Sequence, residues 1–144
     1  MTAAAGPQVE RLLRRRMPLD LRLRVAFEIV VTYAEVRWRV RCGDVRDVVA
    51  ALREGAVDTH DPYDAYRIGR RLRQPVRRSL DPLPWDSRCL MRSLVLLRML
   101  ARRGVVCRLV IGVRPGETFE AHAWIEHGRH PLLPTLGYER LTVI

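Results

Sequence analysis

The stretch "SRCLMRSLVLLRMLARRG", residues 87–104, decides how this chain is read. Leu90, Leu94, Leu97, Met99 and Leu100 supply the buried side of a helix, and Met91, Val95 and Leu96 carry apolar surface around it. A helix with so little polar surface is expected at the centre of a fold. Asp86 or Ser87 is its N-cap, Gly104 its stop, and Arg102 and Arg103 sit where they favour the C-terminal dipole. Just before it, "DPLPW" (81–85) holds two prolines, which exclude regular structure and force an extended approach. Cys89 therefore stands in the first turn of the central helix. It is either a small core residue or a thiol at the positive end of a helix dipole.

Outward from this helix, the chain divides by period. Towards the N-terminus, Leu19, Leu23, Ala26, Val30, Tyr33 and Val40 recur at three- and four-residue spacing, so a helix is expected from Pro18 to "RCGD", with Gly43 in a left-handed cap. Asp44 caps a second helix, "VRDVVAALREG", stopped by Gly55. Asp61 and Pro62 begin a third, supported by Tyr63, Tyr66, Ile68 and Leu72 and kinked or interrupted at Pro75. After Gly104 the period becomes two. "VVCRLVIGV" (105–113), "FEAHAWIE" (119–126) and "YERLTVI" (138–144), separated by the turns "RPGE" and "HGRH", read as an antiparallel meander. Helices first and sheet last give an α+β fold. One domain over 1–144 is expected, 1–80 its mainly helical half and 81–144 the Cys-bearing helix and meander.

Composition narrows the function classes. Hydrophobic residues make up 48% and charged residues 29%, as in soluble globular proteins. The net charge of +10 comes from arginine alone, since the sequence has no lysine. Such a charge attracts polyanions, but no helix-turn-helix signal, zinc pattern or aromatic platform accompanies it, so nucleic acid is not the expected partner. The three cysteines, Cys42, Cys89 and Cys107, show no pairing pattern, and Cys42 and Cys107 are read as small buried residues. "RLLRRRMPLDLRLRVAFEIVVTYA" is basic then apolar like an export signal, but Asp20, Arg22, Arg24 and Glu28 break it, and the apolar run 29–34 is too short to span a bilayer. A reduced, cytoplasmic setting is expected. No CxxC, HxxxH or glycine-rich phosphate loop is present, so neither a metal nor a cofactor is expected.

Chemistry points to two residues. A thiol attacks as thiolate, and the unpaired N–H groups of a helix start favour that anion and could serve an oxyanion as well. His122, in the strand-like "AHAWIE" (121–126), shares a strand face with Glu120, Trp124 and Glu126, while Ala121 and Ala123 point the other way. A histidine there can take a proton from a thiol and return it to a leaving amine, with Trp124 as a shield from water. His60, His127 and His130 fall in loops or turns and are read as solvated.

These residues also carry a resemblance. "CLMRSLVLLRMLARRGVVCRLVIGVR", followed by "FEAHAWIEHGRHP", resembles the transglutaminase-like cysteine peptidases that remove the leader in lasso-peptide biosynthesis, most closely over about residues 84–131; "LRLRVAFEIVVTYAEVRW" and "DVRDVVAALR" match more loosely. The resemblance implies a papain/transglutaminase-like fold with Cys89 as nucleophile and His122 as base. It implies a precursor peptide as substrate, a separate leader-recognition protein as partner, since the chain is similar to the stand-alone version, and a lasso cyclase downstream.

The same resemblance implies a carboxylate on the strand after "HAWIE", and here the sequence departs from it. A two-residue turn brings Leu133 opposite His122, a three-residue loop Pro134, and a four-residue loop Thr135. Glu126 is about 13 Å along the strand; Glu120 is nearer and oblique. Thr135 or a backbone carbonyl is a further way to orient the ring. The function expected is leader cleavage through a thioester. Its rivals are transglutaminase or amidase transfer by the same pair, and a basic, non-catalytic binding module on the same scaffold.

Overall fold

The computed structural model describes residues 18–83, 88–116 and 118–144. Four helices precede a sheet: α1 (Leu19–Cys42), α2 (Val45–Arg53), α3 (Pro62–Leu80) and α4 (Arg88–Ala101), then β1 (Arg108–Arg114), β2 (Glu120–His127), β3 (His130–Pro131) and β4 (Glu139–Val143). Local chemistry sets several of these limits. The Asp44 side chain accepts from Arg46 N at 2.8 Å and that of Asp61 from Asp64 N at 2.8 Å, so α2 and α3 start where their caps stand. Gly55 and Gly104 take positive φ after α2 and α4, as helix stops require. Gly43 does not: its backbone is extended (φ −152°), so α1 ends without the left-handed turn expected there. The third helix runs through Pro75 as one element.

α4 is the hub. Ser93 to Leu97 and Met99 to Ala101 are buried, and one hydrophobic cluster joins Leu94 to Leu97, Met99 and Leu100 to α1, α2, α3, β1, β2 and Leu132. Each fully buried leucine contributes roughly 1.5–3 kcal/mol relative to exposure, and α4 carries Leu94, Leu96, Leu97 and Leu100 in that state.

The outer helices bury faces other than those expected. On α1 the buried residues are Val25, Ile29, Thr32 and Val36, whereas Leu19, Leu23 and Val30 are 62–69% exposed. This helix is apolar on two sides, and salt bridges choose between them. Glu28 and Glu35, beside the buried line, meet Arg103, Arg102 and Arg98 at the end of α4. On α3 the face turned inward is Ala65, Gly69, Leu72, Val76 and Leu80, with Tyr63 and Tyr66 exposed. Close approach decides here: a Cβ on Gly69 would lie 3.2 Å from Leu132 Cδ1, so small residues face the core and the rings turn out.

The sheet has the order β3-β2-β1-β4, with antiparallel pairs throughout. Of the expected three-strand meander, the β1–β2 hairpin holds, and β3 is a two-residue strand that begins within the segment read as the turn "HGRH". The last strand does not continue it, but crosses back to pair with β1, with a register irregularity at Ile111/Gly112. Ala123 and Ile125 join the helix-facing cluster, which leaves His122, Trp124 and Glu126 on the alternate positions of β2.

Candidate active site

Cys89 lies on the first turn of α4, half-buried, and His122 lies on β2. Both line one cleft of about 590 Å³, closed on its other sides by α3 and by Leu133, Pro134 and Leu136. The helix is pinned to the strand beside this cleft. Ser93, one turn beyond Cys89, donates its hydroxyl to the carbonyl of Ala123, next to His122, at 3.1 Å. The cap candidates Asp86 and Ser87, and the end of "DPLPW", lie outside the described residues.

The imidazole is held by the backbone. Its Nε2 is 2.9 Å from the carbonyl oxygen of Pro134. A carbonyl only accepts, so Nε2 carries the proton, and in the neutral ring Nδ1 keeps its lone pair. The register explains why Pro134 arrives there. Glu126 pairs with Pro131 and His127 with His130, so the two-residue turn is Gly128–Arg129, one position later than the two-residue turn considered from sequence. This is the register of the four-residue alternative, but β3 ends at Pro131 and the chain then presents the Pro134 carbonyl to the ring.

None of the three side chains considered as orienting group has a hydrogen bond to His122 among the described residues. Glu120 accepts from the Tyr138 hydroxyl at 3.0 Å and lies 3.8 Å from Arg114. Glu126 is buried, accepting from Trp124 Nε1 and from Arg140, each at 2.8 Å. Thr135 instead closes a turn, its carbonyl accepting from Tyr138 N at 3.1 Å.

Two rings flank the imidazole. Trp124, 1% exposed, stacks on it with centroids 5.9 Å apart, and Tyr138 lies tilted at 5.2 Å. Trp124 can lie flat there because its ring crosses Gly112, where a Cβ would come within 2.6 Å of two ring carbons. The Tyr138 hydroxyl is raised above its ordinary pKa near 10, first by lost solvation and then by its bond to Glu120. Leu136 closes the cleft at a positive φ of 54°, unusual for a branched side chain, with its carbonyl held by Arg114 at 2.9 Å.

Tyr138 was not singled out in the sequence, and the backbone carbonyl considered there as an orienting group was not assigned to a residue; it is that of Pro134. Tyr138 reads as the start of a strand, and a backbone acceptor leaves no trace in residue type.

The other cysteines divide. Cys107 is buried as expected, and burial pushes its thiol up to about 12, which makes it a poor nucleophile. Cys42 is exposed rather than buried, at the last position of α1. His127 is also not solvated: it is buried at the end of β2, with Nδ1 3.0 Å from the Val106 carbonyl. His60 Nε2 lies 2.9 Å from the Arg103 carbonyl, and His130 is exposed. Among the described residues, no group of three or more His, Cys, Asp or Glu side chains could hold a metal ion. No helix among them is long and apolar enough to cross a membrane.

An α+β core with a thiol on the first turn of its central helix and a histidine on the adjoining sheet is the layout of papain-like and transglutaminase-like proteins. Residues 29–144 match the transglutaminase-like superfamily, and the chain belongs to it. Enzymes of that superfamily are generally cysteine peptidases and transglutaminases. Comparison with curated proteins and with solved structures returns no match.

Proposed function

We propose that this protein is a cysteine peptidase that removes the leader from a ribosomally made lasso-peptide precursor, with Cys89 as nucleophile and His122 as general base and acid. The observation that carries the reading is the shared cleft, in which His122 gives Nε2–H to Pro134 and retains a basic Nδ1. In the proposed reaction the imidazole takes the Cys89 proton and sulfur attacks the scissile carbonyl. N–H groups at the α4 start favour both the thiolate and the oxyanion. The tetrahedral adduct collapses to a thioester as the imidazolium gives its proton to the departing amine. Water, deprotonated by the same ring, then releases the acid and the free thiol.

A carboxylate partner mainly fixes the orientation and tautomer of the histidine. A backbone carbonyl supplies both, though without a negative charge to stabilise the imidazolium. The leader-recognition protein and the cyclase implied by the sequence resemblance belong to this reading, as does a cytoplasmic setting.

The test is cleavage of a lasso precursor in the presence of its leader-recognition protein, read by mass spectrometry. Free leader and free core peptide are expected from the native chain, and neither from Cys89→Ala. An amine-capped or crosslinked product would move the reaction to acyl transfer by the same pair. Undiminished cleavage by Cys89→Ala would end the nucleophile assignment.

A further inference from the structure

The cleft that holds Cys89 and His122 is strongly unbalanced in charge. Among the described residues that line it, Arg73 and Arg77 reach it from α3, and Arg88 and Arg92 from α4, against one carboxylate, Asp81. That carboxylate is already shared. Oδ1 is bonded to Arg92 Nη2 and Oδ2 is 3.4 Å from Arg77 Nε. Arg92 is the telling member, because its Nε is buried without a hydrogen-bond partner among the described residues. A buried, unpaired guanidinium N–H is costly. Burial, and then the positive charge of Arg77, lower the Arg92 pKa. Arg92 also lies three residues after Cys89, hence on the same helix face about 5–6 Å away between Cβ atoms.

We infer that Arg77 and Arg92, supported by Arg73 and Arg88, form a carboxylate-binding subsite beside the nucleophile, selecting peptide substrates with an acidic group close to the scissile bond. A planar guanidinium pair takes a carboxylate by two-point hydrogen bonding. The spacing along α4, set against about 3.3 Å per residue of extended peptide, places that group one to three residues from the reacting carbonyl. The inference rests on the peptidase reading for its word substrate, but the subsite is measurable without catalysis.

Cys89 itself reports on it. Iodoacetate and iodoacetamide alkylate the same sulfur, and only the first carries a carboxylate. Relative to free cysteine under the same conditions, the iodoacetate-to-iodoacetamide rate ratio at Cys89 should be raised about tenfold or more, and fall with added salt. Arg77→Gln, whose side chain is mostly exposed, should lose most of that excess and fold normally; Arg92→Gln should lose the rest. Arg70→Gln, exposed on α3 and outside the cleft, removes the same charge and should change little.

A second measurement uses the Cys89→Ala chain and three fluorescent tetrapeptides: one blocked at both ends with a single glutamate, its glutamine counterpart, and a neutral one with a free C-terminal carboxylate. Tighter binding of the glutamate peptide assigns the subsite to a side chain within the substrate, and tighter binding of the third to a substrate terminus. Equal binding of all three, or a rate ratio that Arg77→Gln and Arg92→Gln leave unchanged, overturns the subsite while leaving the catalytic pair standing. A Cys89 inert to both reagents counts against the catalytic pair, and the peptide affinities then decide the subsite alone.

Discussion

At one end of β2, Glu126 and His127 are buried and engaged on two sides each: Glu126 between Trp124 and Arg140, His127 between the Val106 carbonyl and Asp58. At the other end, Glu120 is exposed and His122 borders a cleft, with one nitrogen bonded and the other without a hydrogen-bond partner among the described residues. The two ends use the same residue types. The difference lies in how many of their polar atoms the fold consumes. A side chain with every atom committed holds strands together, whereas one fixed through a single atom is oriented and still free to exchange a proton. Stacking of Trp124 on His122 joins the two ends, so the buried end supports the ring that borders the cleft.

That contrast is broken or sharpened most directly at the two histidines. His122→Ala should lower precursor cleavage about 10³-fold and cost only about 1 kcal/mol of stability, through the lost ring contacts and the bond to Pro134. His127→Ala should do the opposite, losing about 2 kcal/mol through the orphaned Val106 carbonyl and the cavity, while Cys89 keeps its reactivity towards iodoacetamide. Urea denaturation and cleavage assays on both variants read the two effects separately. If His127→Ala alone abolished cleavage in a folded chain, the division of labour would be wrong.

Gly112→Ala strikes the link between the ends. The new methyl would meet the Trp124 ring and the Glu139 carbonyl at 2.6 Å, and neither is the tip of a flexible side chain. A loss of about 3 kcal/mol is expected, and the His122 stacking should go with it, visible as a change in indole fluorescence. Glu126→Gln comes next, at about 2 kcal/mol. The amide can still accept from Trp124, and Arg140, half-exposed, recovers solvent, so the cost stays below that of breaking a fully buried pair.

The sequence made the central helix, with Cys89 on its first turn, and the strand position of His122 legible because both depend on local pattern. An apolar run bounded by a turn and Gly104 has one reading, and a thiol at a helix start has a definable electrostatic setting. Strand alternation likewise separated His122, Trp124 and Glu126 from Ala121 and Ala123. Long-range choices were not legible. α1 offers two apolar faces, and the choice between them was made by Arg98, Arg102 and Arg103, more than sixty residues away. The group that orients His122 is a main-chain oxygen, and its arrival depends on a turn displaced by one residue. The return of β4 to β1 depends on which sheet edge the last segment meets, which periodicity does not encode.

Between the two ends of β2 in degree of burial stands the α1–α4 contact, where Arg103 Nη1 and Nη2 donate to Glu28 Oε1 and Oε2 at 2.7 and 2.6 Å. The hydrogen bonds from Arg103 hold the Glu28 carboxyl below its ordinary value near 4.5; burial opposes them, and the charges of Arg103 and Arg102 add to the lowering. The folded state therefore binds the proton less readily than the unfolded chain. Its contribution is complete above the unfolded value and is lost as pH falls from about 4.5 through the lower folded value. Both side chains keep some exposure, 32% for Arg103 and 23% for Glu28, so solvent screening limits the pair to about 1 kcal/mol. Glu28→Gln should cost that much at pH 7 and almost nothing at pH 3, so the stability curves of variant and native chain should converge towards acid. Parallel curves would mean that the pair is only an exposed contact, and that the apolar line Val25–Ile29–Val36 alone selects the buried face of α1.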